Sequence, residues 1–147
     1  MLQIFKKKPG RPISLNKVTI TKKCLDFYWI NGIENKSFNE VIKYAGVSKG
    51  SIYRLYGSED SLQKNVLNEY FKFSIKDRLE FISRTTVKEL IMEITSGLIT
   101  NKLRPCLFYR SKVEKYKLGS KAKRCIEKIE SKIQISYVNL IKDDFKI

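Results

Sequence analysis

The chain has 147 residues, 42% of them hydrophobic and 31% charged, which suits one compact body or a small module joined to a second helical layer and excludes a multidomain enzyme. Thirty Lys and Arg against fifteen Asp and Glu leave a net charge of +15, opposite in sign to nucleic acid and acidic lipid, and equally compatible with a solvated Lys-rich surface of AT-rich coding bias. With no histidine, hydrolases of the Ser-His-Asp and Cys-His kinds are excluded, and the commonest nitrogen ligand for zinc is missing.

Residues 1–15 read as a basic arm. Its Lys6-Lys7-Lys8-Pro9-Gly10-Arg11-Pro12 resembles the minor-groove segment of AT-hooks, in which a narrow A·T groove attracts an Arg side chain; a solvated tail is the other reading. The spacing then predicts a helix from Asn16 to Asn31, with Ile20, Cys24, Phe27 and Tyr28 on one face and Gly32 as its stop. A second helix runs from Ser37 to about Tyr44, opened by the capping box Ser37-Phe38-Asn39-Glu40. The third, Ser48 to Tyr56, has Ser48 as cap, Val47 and Ile52 as a hydrophobic staple, and Gly57 at its end. A fourth starts at Ser58 with Glu59 and Asp60 in its first turn, and carries Leu62, Val66, Tyr70 and Phe73 on one stripe.

Beyond Asp77 the pattern remains helical. Val87, Leu90, Ile91, Ile94 and Leu98 form one amphipathic segment, and Pro105 opens a short one through Leu107, Phe108 and Tyr116. A long last helix begins near Ser120. Its stripe of Ala122, Ile126, Ile129, Ile133, Tyr137 and Leu140 fits the wall of a core, the preferred reading, or a seam against a sister helix.

Two short helices joined by Ala45-Gly46-Val47-Ser48 predict a helix-turn-helix, Gly46 tolerating the left-handed turn and Val47 plugging the space between the helices. Projected at 100° per residue, Ile52, Leu55 and Tyr56 fall on one arc of the third helix, and Lys49, Gly50, Tyr53 and Arg54 on the other. On that outer arc Lys49 and Arg54 suit phosphates or guanine edges, Tyr53 suits a phosphate, and Gly50 permits close backbone approach. Ser48 and Ser51 add short hydroxyls at a helix N-terminus, which itself attracts anions.

The run from Gly32 to Ser58, above all AGVSKGSIYRLYGS at 45–58, closely resembles the N-terminal DNA-binding domain of TetR-type transcriptional regulators. The resemblance implies an all-α fold: a three-helix, homeodomain-like helix-turn-helix domain over 16–60, then a helical effector-binding and dimerisation domain over 61–147. It implies a cytoplasmic homodimer on double-stranded operator DNA, usually a repressor released by a small-molecule effector. Carried over onto matching positions, it assigns DNA contact to Ser37, Ser48, Lys49, Gly50, Ser51, Tyr53 and Arg54, with Ile52 and Tyr56 in the core; Lys36 and Arg11 complete the candidate interface. Two departures stand out. Glu59 occupies a position where family members commonly place a phosphate-contacting Lys, and the two further helices that usually build the dimer's four-helix bundle have no counterpart, so the chain reads as truncated or as dimerising through other surfaces.

Cys24, Cys106 and Cys125 are scattered, with no C-x-x-C pair, and so read as small apolar fillers in a reducing compartment rather than as a disulfide framework or zinc cluster. No window approaches 18 uncharged apolar residues and no signal-peptide pattern follows the basic start, so the chain is expected neither to be exported nor to span a membrane. No Gly-rich phosphate loop or paired-carboxylate signature points to an enzyme or a cofactor. The alternative to a specific regulator is a truncated or decayed one, acting as a non-specific DNA-binding or helical interaction protein. Aromatics at Trp29, Tyr70, Phe71, Phe73, Phe81 and Phe108 are candidates for an effector pocket or for plain core.

Overall fold

The computed structural model describes residues 16–100 and 106–146; Arg11 and the rest of the predicted arm, Pro105 and the side chain of Leu98 lie outside the described residues. The described chain is all-helical. Helix α1 spans Lys17–Asn31, its N-cap Asn16 accepting from the backbone N–H groups of Val18 and Thr19. Helix α2 spans Phe38–Ala45 and α3 spans Lys49–Tyr56. Helix α4, Glu59–Tyr70, continues through a π-helical turn at Phe71–Ile75 into α5, Lys76–Ile82. Helix α6 (Val87–Thr100), α7 (Leu107–Val113), a single 3₁₀ turn at Lys115–Lys117 and the long α8 (Ser120–Phe145) complete the order.

The main core is continuous from α1 to α8: Cys24 and Tyr28 of α1, Val41, Ile52, Leu62, Val66 and Leu67 meet Leu107, Ala122 and Ile126, all fully buried. The stripe expected on α8 is therefore largely internal, Ile129 completing it and Ile133 packing against the same cluster, while Tyr137 and Leu140 close a smaller cluster with Ile82 and Leu90. A seam against a second chain through Ile126 and Ile129 is excluded by this burial.

Four expectations are corrected. Phe73 does not continue the α4 stripe but is 67% exposed, because the π-helical turn inserts an extra residue per turn, rotating Phe73 outward and bringing Ile75 in. Ile91 and Ile94 lie exposed on α6, where only Leu90 is fully covered and Val87 partly so. Tyr116 stands in the 3₁₀ turn, 71% exposed, and does not join the α7 face. Cys106 is no apolar filler. It is exposed and caps α7, its Sγ accepting from the Tyr109 backbone N–H at 3.5 Å, with the Tyr70 hydroxyl donating to it at 3.6 Å.

Burial pushes the Cys24 thiol up to about 11 and raises that of Cys125 as well. Thiolate is the reactive form. Brief iodoacetamide treatment at neutral pH is accordingly expected to alkylate Cys106 of the native chain and to reach Cys24 only on unfolding, as peptide mass mapping would show.

Two tertiary clasps join elements distant in the chain, α1 to α7 and α4 to α8. At one, the Arg110 guanidinium of α7 donates to the carbonyls of Ile30 (3.3 Å) and Asn31 (3.0 Å), the C-terminal acceptors of α1, and pairs with Glu34 at 3.6 Å. Gly32 passes under this pair with φ +83, where a Cβ would strike both Glu34 and Arg110. At the other, the Asp60 carboxylate of α4 accepts from the backbone N–H groups of Lys121 (2.9 Å) and Ala122 (2.8 Å), capping α8 from outside its own sequence.

The capping box at α2 forms as expected. Glu40 accepts from the Ser37 backbone N–H at 3.0 Å, from the Ser37 hydroxyl at 2.8 Å and from Lys36 Nζ at 3.1 Å, which together hold its carboxyl at about 2, against an ordinary 4.5. A lowered folded-state pKa stabilises the fold above the ordinary value and loses that contribution as pH falls through the folded one. The stability difference between wild type and Glu40→Ala, read from urea unfolding, is thus expected to be full above pH 4.5 and to shrink toward pH 2.

Candidate nucleic-acid interface

The turn between α2 and α3 is built from local chemistry. Gly46 adopts the left-handed conformation (φ 70, ψ 34), its N–H reaching back to Ile42 and Lys43, and the Val47 N–H bonds the Ile42 carbonyl at 3.1 Å, so the last carbonyls of α2 are satisfied within the turn. Val47 packs, partly buried, against the core cluster that contains Ile52. Ser48 then starts α3, its hydroxyl accepting from the Ser51 N–H at 3.1 Å.

What this turn presents is an α3 of two unlike faces. Ile52 is fully buried and Tyr56 nearly so, whereas Lys49, Gly50, Tyr53 and Arg54 are exposed. Tyr56 anchors the far end: its hydroxyl meets Thr21 Oγ1 at 2.8 Å and donates to the Lys17 carbonyl at 3.0 Å, tying α3 to the start of α1. The outer face is cushioned by Phe38 of α2. Its ring lies 6.0 Å from that of Tyr53, and Lys49 Nζ stands 5.9 Å from both ring centroids, which orients an ammonium that would otherwise sweep freely. Phe38 was not among the residues singled out from the sequence; the only signal was its place inside the capping box, which reads as local structure.

The remaining expected residues fall into two groups. Ser48 and Ser51 hydroxyls bond each other at 2.9 Å at the α3 N-terminus, leaving one hydroxyl proton between them for an outside acceptor. Ser37 and Lys36 stand at the start of α2, both engaged with Glu40. Arg54 makes no ion pair among the described residues.

Glu59 sits at the α3–α4 junction, half-buried, accepting from Gln63 Nε2 at 3.3 Å. Burial raises its carboxyl pKa, an effect that the nearby Lys49 charge opposes. It is thus turned partly into the seam between the two helices, in the field of the most cushioned cation of the interface.

The aromatics proposed as pocket residues do not assemble into one cavity. Tyr70 and Phe108 are buried in the core, Phe81 is exposed, and Trp29 meets Tyr70 and the exposed Phe73 edge-on at 5.2 and 6.0 Å beside a shallow slot of about 210 Å³. Among the described residues no group of Cys, Asp and Glu could hold a metal ion, and no helix is long and apolar enough to cross a membrane.

No protein-family model matches the chain, and no curated protein matches it. Among solved structures it resembles E. coli NemR in its reduced form, with a TM-score of 0.68 and 15% identity over 88% of this chain and 71% of that one. At this identity the likeness is one of fold. The described chain shares the all-helical architecture of that structure.

Proposed function

We propose that the chain is a sequence-specific DNA-binding transcriptional regulator of the TetR type, acting as a homodimer and released from its operator by a small effector. The observation that carries this reading is the outer face of α3. Ile52 and Tyr56 fix the helix in the core while Lys49, Gly50, Tyr53 and Arg54 stand outward together, next to the capping Ser48. A helix of this kind fits the major groove with its N-terminal residues toward the base edges. The fold likeness to NemR, a transcriptional regulator, supports the same reading.

In this account Lys49 neutralises a phosphate and Arg54 reads a guanine edge, with Ser48, Ser51 and Tyr53 as further phosphate donors and Ser37, Lys36 and Arg11 at the flanks. The experiment that tests it is fluorescence anisotropy on duplex DNA over a salt series. Lys49→Ala should weaken binding to all sequences alike and reduce the salt slope by about one, whereas Arg54→Ala should also relax base preference, at roughly 1–3 kcal/mol. Equal binding by wild type and the double variant would refute it.

A further inference from the structure

Between α4 and α8 runs an open groove of about 540 Å³, within the roughly 300–1,000 Å³ typical of small-molecule sites. Four cations descend one face of α8 at steps of three and four residues, Lys121, Arg124, Lys128 and Lys132, and Lys64 faces them from α4. All five are exposed, and no carboxylate lines the groove. None of the five makes an ion pair among the described residues, although α8 carries acids: Glu127 and Glu130 pair instead with Lys115 and Lys112, on the side facing α7 and the 3₁₀ turn. Glu127 and Glu130 thus spend their charge away from the groove, and its five cations are left without a paired carboxylate. Gathering five like charges costs Coulomb energy that a bound anion relieves.

The rest of the lining gives the anion a shape. Phe71 and Ile129 add apolar surface, and Lys132 Nζ lies 4.8 Å from the Phe71 ring centroid, so a cation and an aromatic face are presented together. The site is a concave slot between two helices that pack directly on each other, with Asp60 clasping α8 at one end.

We propose that this groove binds a small organic polyanion, a phosphorylated compound with an aromatic group, its phosphates among Lys64, Arg124 and Lys128 and its ring against Phe71 and Ile129. The inference stands apart from the reading of α3 and survives if that reading fails.

Isothermal titration of the full chain at low salt without divalent cations tests it, with ATP, inorganic tripolyphosphate and adenosine as probes. ATP is expected to bind, tripolyphosphate to bind more weakly because it lacks the ring, and adenosine to give no signal. Arg124→Gln/Lys128→Gln, and separately Lys64→Gln on the opposite helix, should each weaken ATP binding at least about tenfold with helix content unchanged. Arg84→Gln/Lys88→Gln, which removes equal charge elsewhere, should leave it within about twofold. The proposal is overturned by absence of ATP binding, by an equal loss in that control, or by groove variants that lose duplex DNA binding while keeping ATP.

Discussion

Arg110→Ala is expected to destabilise the chain by about 3 kcal/mol, the lower end of the range for breaking a buried ion pair from one side, since Arg110 itself keeps 27% of its side chain exposed. The cost arises on the partner. The Glu34 side chain is 1% exposed, its Oε2 has no hydrogen-bond partner, and Arg110 is the only cation paired with it among the described residues. Removing the guanidinium leaves a carboxylate in the interior and frees the Ile30 and Asn31 carbonyls as well. For a chain of this size the melting temperature should fall by roughly 6–12 °C. Glu34→Gln placed in the Arg110→Ala background should recover part of the loss by abolishing the buried charge. A variant as stable as wild type in urea would show that the pair is solvated and that this clasp contributes nothing.

Gly119→Val should be comparably damaging, and for a different reason. Gly119 has an ordinary φ of −72, so the backbone tolerates a side chain, but a Cβ there would collide with the Asp60 carboxylate. Displacing that carboxylate costs its two bonds to the α8 N-terminus, worth about 1–2 kcal/mol as a cap, in addition to about 1–3 kcal/mol of overpacking. Asp60→Ala isolates the first part and is expected to cost less than Gly119→Val when both are followed by thermal unfolding. Equal losses would mean that the glycine's space is unimportant.

These two clasps explain what could be read in advance and what could not. The first four helices were legible because their ends are written locally: Asn16, Ser37, Ser48 and Ser58 each cap the helix that follows, and Gly32, Gly46 and Gly57 all take positive φ where a helix stops. The same code opens α6, where Thr86 and Glu89 bond reciprocally at 2.9 and 3.2 Å, although apolar spacing alone points only to the helix body. Periodicity identifies residues that share a face but not whether anything covers it. Ile126 and Ile91 look alike in the sequence; the first is fully buried and the second 56% exposed. A π-helical turn defeats the count outright, since one inserted residue reassigns Phe73 and Ile75. Arg110 with Asn31, and Asp60 with Ala122, join residues far apart in the chain, and no short spacing encodes them. The outward arc of α3 was legible because burial of Ile52 and Tyr56 follows from helical geometry, while the cushioning of Lys49 by Phe38 depends on how α2 crosses α3.

The most direct measurement of the central claim is selection of bound sites from a random pool of duplex DNA, with wild type and the Lys49→Ala/Arg54→Ala variant run side by side at physiological salt. The account predicts that wild type enriches a defined motif, with half-sites about one helical turn apart if two copies bind together, and that the variant enriches none. Enrichment of the same motif by both proteins, or of no motif by wild type, would contradict the assignment of α3 as the reading helix.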